Sequence, residues 1–280
     1  MLCSVEHPVR VTRNVKRVTS GTGGLRDALR LTRYAKRPLF DRAMSLSAWV
    51  VVMVLWGPCA VWAEEVGSPA GILKKGQWSM EAGGGAVLGR ELKPGGSKAT
   101  VYQLGHRRGF GLTDWLSLYG KIGAAYLEVK DPSIKRPFNP SSTIRFNAAM
   151  LVDAQLKSRF WRHVKTGWEW DGSLQYVYVR ARHRGGNDGT WQEWVGSTSV
   201  AKSMGRLKPY LGVKYSLMNL KTKIRNGGQL FQQRTYKTDA RVGAFFGTDW
   251  YFGPSEDVIL NVETSYLGGP ELDMAIKYLF

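Results

Sequence analysis

Cysteine is almost missing from this 280-residue chain. Cys3 and Cys59 are the two present, and both precede residue 64. Beyond that point neither a disulfide framework nor a thiolate metal site can form. Long apolar runs are equally scarce; the one of note is LSAWVVVMVLWGPCAVWA, residues 46–63. A bundle of transmembrane helices needs several such runs of about 20 residues each, so the chain is not a polytopic helical membrane protein. Acidic residues number 22 against 40 Lys and Arg, a net charge of +18. There are four histidines, and no His, Cys and carboxylate cluster has metal-ligand spacing. No glycine loop precedes a helix as a phosphate cradle would. No cofactor is expected.

The apolar run follows a positively charged flank, is interrupted by Gly57-Pro58, and ends in Ala60-Val61-Trp62-Ala63 ahead of Glu64-Glu65. Val61 and Ala63 put small residues at the third and first places before the acids. These are the parts of a secretory signal peptide over residues 44–63, cleaved after Ala63. A single transmembrane anchor and a lipoprotein processed at Cys59 are the alternatives. Residues 1–43 carry ten Lys or Arg and no apolar periodicity. They read as a disordered basic extension or an upstream-extended start, with a nucleic-acid-binding arm as the rival; nucleic acid is not expected as a partner. Residues 64–76 are expected as a periplasmic segment. Without residues 1–63 the chain holds 30 basic and 19 acidic residues, a charge of +11.

What is abundant is glycine, at 33, and tryptophan, at 11. After Glu64 the dominant pattern has a period of two. It predicts strands over residues 77–91, 99–111, 115–130, 143–160, 165–182, 190–204, 207–223, 235–252, 257–268 and 271–280. Short turns such as LTD and GR alternate with longer polar loops such as DPSIKRPFNPSS. Aromatic residues gather at strand ends, including Trp115, Trp161, Trp168, Trp191, Trp194 and Trp250. Alternating loop lengths and interfacial aromatics describe a membrane-spanning barrel. The expected fold is all-β: a closed antiparallel up-and-down transmembrane β-barrel over residues 77–280, with about ten strands and 8 or 12 as alternatives.

The two faces of each strand differ. Ile144, Phe146, Met150, Val152 and Leu156 share one face of the fourth strand, opposite Arg145, Asn147, Asp153, Gln155 and Lys157. Charges facing a dry interior would be costly unless paired, so the apolar face is assigned to lipid and the charged face to the lumen. The expected lumenal ionic network is Lys121, Arg145, Asp153, Glu169, Asp171, Lys214, Asp239, Arg241, Glu263, Asp273 and Lys277. Ten strands filled with long ionic side chains give a narrow or plugged lumen. A basic external rim is expected from Arg136, Arg180, Arg182, Arg184, Lys221, Lys223 and Arg225, with Arg90 also placed at an external loop. Such a rim suits lipopolysaccharide phosphates, although a solvated rim needs no partner.

ELDMAIKYLF, residues 271–280, resembles the carboxy-terminal signature of bacterial outer-membrane β-barrels: Phe280 last, Tyr278 two before it, and Ile276, Met274 and Leu272 on alternate positions. GFGLTDWLSLYGKIG (109–123) resembles a strand–periplasmic turn–strand segment of small barrels, and GTDWYFG (247–253) echoes it. The resemblance covers residues 75–280. It implies that the assembly machinery reads the last strand and that the protein sits in the outer membrane of a Gram-negative cell, as a monomer contacting membrane lipid. Such barrels act as structural anchors, adhesins, narrow channels or, in a few cases, enzymes. The outer-rim enzymes that place His beside Ser have no counterpart here. Omptin-like proteases need paired acids; His183, Asp188 and Asp131 do not supply the set. The expectation is a non-enzymatic barrel with a structural or surface-interaction role, with a narrow porin-like channel and a rim-located hydrolase as alternatives.

Overall fold

A computed structural model describes residues 67–133, 143–182, 187–226 and 229–280. The signal-peptide and basic-extension expectations lie outside these residues, as do Arg136, His183 and Arg184.

Eleven strands follow one another: β1 (Trp78–Lys93), β2 (Ser97–Thr113), β3 (Leu116–Lys130), β4 (Thr143–His163), β5 (Trp168–Arg182), β6 (Asp188–Lys202), β7 (Leu207–Asn226), β8 (Gln229–Thr238), β9 (Val242–Phe252), β10 (Val258–Tyr266) and β11 (Pro270–Leu279). All pairings are antiparallel. β1 to β7 form a meander, β9, β10 and β11 continue it, and β11 closes onto β1 from Ser79↔Leu279 to Val87↔Glu271. In the ten-stranded section closure gives every strand a partner on both sides, the condition for a sheet to sit in hydrocarbon.

The expected eighth strand, residues 235–252, is two strands. β8 pairs with the outer end of β7 and β9 with its inner end. The chain leaves the ladder between them at residues 239–241. The reason lies next door. The β10–β11 hairpin is short, and its tip wedges between β1 and β9: the Glu91 amide donates to the Gly268 carbonyl at 2.9 Å, and the Asp239 amide to the Glu91 carbonyl at 3.1 Å. At the tip, a Cβ on Gly269 would lie 2.6 Å from the Leu88 carbonyl oxygen, so only glycine fits. Above the tip, β8 reaches across to β1 through Leu92↔Thr238 and Lys93↔Lys237. The barrel therefore has ten strands around its periplasmic and middle levels and eight at its external end.

The wall reverses polarity along its length. In the ten-stranded section the outside is apolar and exposed: Ile122 66%, Leu211 66% and Phe246 65%. In the eight-stranded section the inside is apolar and closed. Leu127, Phe146, Leu151, Leu220 and Tyr236 are each wholly buried there, in one cluster with Val129, Ile144, Val177, Val179 and Trp191. The 20 residues of β7 span roughly 65 Å at ~3.3 Å per residue, more than the ~25 Å apolar band of such barrels needs even when tilted. The external end stands clear of the membrane and has the core of a water-soluble barrel.

A bulge produces the reversal on β4. Between the pairs Ala125↔Ala149 and Leu127↔Phe146, two residues of β4 face one of β3. The extra residue flips the parity of the strand. Ile144 and Phe146, expected toward lipid with Met150, Val152 and Leu156, turn inward, and Arg145 turns outward.

Candidate functional site

The lumen holds three stacked layers. The lowest is made by the chain ahead of β1. Of the segment expected in the periplasm, residues 67–73 lie inside the barrel. The Gly67 amide donates to Glu263 Oε2 at 2.9 Å, and Ser68 Oγ to Asp249 Oδ1 at 2.7 Å. Ser199 Oγ donates to the Gly67 carbonyl at 3.1 Å, Tyr119 OH to the Gly71 carbonyl at 2.5 Å, and the Leu73 amide to Ser117 Oγ at 2.8 Å. Four strands thus hold a short inward-folded plug. A Cβ on Gly67 would sit 1.9 Å from the Phe245 ring, so this approach requires glycine. Gly67→Val should expel the segment. Amide hydrogen exchange of a peptide spanning 67–73 should then lose at least about tenfold of its protection while the strands keep theirs; unchanged protection would mean that the segment is not seated where these bonds place it.

The middle layer is ionic. Arg107 pairs with Glu81 and with Asp153, each at 3.3 Å, and Lys277 with Glu81 at 3.4 Å. Higher, Arg90 binds Glu193 at 2.6 Å and also Glu271, which accepts from Lys214 and, at 2.7 Å, from Ser265 Oγ. Ser216 Oγ and Trp191 Nε1 donate to Glu193 at 2.5 and 3.0 Å. At the periplasmic rim Glu169 meets Arg159, Arg162 and Lys208 between 3.1 and 3.3 Å, and Asp171 meets Arg159. These charges are paired or hydrogen-bonded, as burial demands.

Of the eleven residues expected in the lumen, Lys121, Asp153, Glu169, Asp171, Lys214, Glu263, Asp273 and Lys277 are buried there. Three are not. Arg145 lies outside beside Glu128 at 3.0 Å, turned by the β4 bulge. Asp239 and Arg241 occupy the exposed break between β8 and β9, with Asp239 paired to Lys93 at 2.6 Å. Conversely, Arg90, expected at an external loop, is 3% exposed in the middle layer. Gly89, at φ +59°, shifts the parity of β1 just before it. Trp191, expected in an aromatic girdle, is lumenal, with Arg90 over its ring at 5.5 Å. Sequence reasoning also missed Arg107 and Glu271; their alternation with Arg108 and Leu272 was the available signal.

The top layer is the apolar cluster, pinned at the mouth. Asp131 Oδ2 accepts from Arg234 Nη1 and Tyr236 OH, each at 2.7 Å, and its other oxygen from the Ser133 amide and hydroxyl. Burial alone would push the Asp131 carboxyl up. The bonds from Ser133 and Tyr236, with the Arg234 charge, hold it below the usual carboxylate range. A cavity of about 40 Å³ lies between the middle and top layers, against Arg90, Trp191, Leu127 and Glu271. Another of about 10 Å³ lies beside Glu81, Arg107 and Lys121. At ~10–15 Å³ per enclosed water, these take a few waters and no organic solute.

Outside, Arg180, Arg182, Lys221, Lys223 and Arg225 are exposed. Register lines them up across β5, β6 and β7: Arg180 opposite Thr190 and Thr190 opposite Lys221, then Arg182 opposite Asp188 and Asp188 opposite Lys223. They stand above the apolar band, whose edge there is Tyr176, Trp194 and Leu217, with the row Tyr178, Gln192 and Asn219 between. On β11, Leu272, Met274, Ile276 and Tyr278 face outward, as does Phe280 just past its end, and the Tyr278 and Phe280 rings meet at 4.7 Å. Asp188 is on the outer wall and Asp131 is engaged at the mouth, so the two acids do not converge.

No protein-family model matches the sequence, and no curated protein matches it. Among solved structures, the chain is similar to Ail of Yersinia pestis, crystallised with the heparin analogue sucrose octasulfate (10% identity, TM-score 0.36, 74% of this chain and 99% of that one). It is also similar to OprG of Pseudomonas aeruginosa (14%, 0.37, 74% and 97%) and to the outer membrane protease OmpT of Escherichia coli (11%, 0.37, 73% and 94%). The likeness is one of fold, and no activity follows from it.

Proposed function

We propose that this protein, a bacterial outer-membrane β-barrel, is a closed, non-enzymatic barrel that works through its outer surface, with the basic collar above the apolar band engaging the phosphates of lipopolysaccharide. The collar is the observation that carries this reading. Five cations, Arg180, Arg182, Lys221, Lys223 and Arg225, share the wall with one acid, Asp188. They sit where a strand leaves hydrocarbon, the level of anionic headgroups. Guanidinium and ammonium groups bind phosphate strongly there.

A basic residue near an anionic surface contributes about 1 kcal/mol. Replacing Arg180, Lys221 and Lys223 together with glutamine should therefore weaken lipid A association of the purified barrel by roughly tenfold or more. The wild-type association should fall with added salt. Equal binding by the triple variant would refute the collar reading. The channel alternative is disfavoured by a lumen filled in all three layers. The carboxy-terminal strand, with Leu272 to Phe280 facing outward, serves as the signal for the assembly machinery.

A further inference from the structure

We propose that the lipid face of β2 carries a docking site for an integral membrane protein that presents a carboxylate at the middle of the apolar band, with Arg108 as its anchor. This is independent of the collar.

Across the band, β2 turns six side chains outward: Leu112, Phe110, Arg108, His106, Leu104 and Tyr102. The two central ones are polar. Arg107 between them points inward to Glu81 and Asp153, which fixes its neighbours on the outside. Arg108 is exposed, and its Nε donates to His106 Nε2 at 3.3 Å. The guanidinium thus leans along the strand toward mid-band, away from the nearer periplasmic edge. A lipid-facing arginine at mid-depth costs on the order of 30- to 1,000-fold in the folding equilibrium. An ionisable group placed there at such a cost marks a function.

Three observations define the occupant. Ten residues from Leu112 to Tyr102 rise roughly 25 Å on a tilted strand, which puts the pair near mid-depth, away from headgroup phosphates. The surface beside it is low: Gly120 lies opposite Arg108 on β3, with Ala154 beyond it on β4, and a Cβ on Gly120 would meet open space. Small residues let a neighbouring transmembrane element approach closely. A second copy cannot supply the counter-charge, because the exposed acids among the described residues, such as Glu91, Asp114, Asp188 and Asp239, lie at strand ends and turns.

The test uses the full-length barrel in native outer membranes, carrying Ala154→Cys labelled with a benzophenone maleimide. One discrete protein adduct is expected on illumination. Arg108→Leu should reduce it at least tenfold, and Arg108→Lys should restore part of it. Arg108→Glu should regain it when the adduct's contacting carboxylate is changed to arginine. Purified in zwitterionic vesicles, Arg108→Leu should be more resistant to urea than the wild type, which shows that it folds. Adducts with lipid alone, an adduct indifferent to Arg108→Leu, or no rescue by the charge exchange would each overturn the proposal.

Discussion

Glu271→Leu lowers the unfolding free energy of the barrel in lipid vesicles by about 3–5 kcal/mol, the cost of leaving a buried charge without its partner. Glu271 is 5% exposed and accepts from Arg90, Lys214 and Ser265. Among the described residues, removing it leaves Lys214 with Ser265 and leaves Arg90 with Glu193 and the Trp191 ring. A nonpolar replacement cannot hydrogen-bond either cation. The comparison is Glu128→Gln, which breaks an exposed pair with Arg145 and should cost no more than about 1 kcal/mol. Urea titration of both variants decides the matter. If the two losses are alike, the middle layer is not the electrostatic knot that its distances describe.

Phe146→Ala should cost about 3–5 kcal/mol through the cavity it leaves. The side chain is wholly buried in the top layer, and its ring comes so close to Gly189 that a Cβ there would lie 3.0 Å from it. Met150 is four residues along the same strand but 60% exposed on the outer wall. Met150→Ala removes a lipid contact that lipid refills, so its cost should be the smaller by at least about 2 kcal/mol. Equal losses would mean that Phe146 and Met150 meet the same medium, and the polarity reversal would be wrong.

The reversal marks where the sequence stopped being legible. Alternation alone put Phe146 and Met150 on one face, because they are separated by an even number of residues. A single inserted residue between them defeats that count, and nothing in NAA, residues 147–149, announces a bulge. Asp239 and Arg241 were lost in the same way: an eighteen-residue alternating run hides a break set by the hairpin tip of another part of the chain. Glu271 and Arg107 are readable from parity, since each falls in the inward set of its strand. The inward plug had no periodic signal, since its contacts run from Gly67 to Glu263, 196 residues apart.

Composition and the period of two, by themselves, determined that this chain is an antiparallel barrel with aromatic rims, ionic interior positions and an apolar band, because each of those follows from neighbours two apart on one strand. Tertiary structure alone decided that the barrel narrows from ten strands to eight, that its interior changes from ionic to apolar on the way out, and that its own leading segment fills the base. Those depend on register between strands, and register is fixed by bulges and by a short hairpin wedged between distant strands, which no local pattern records.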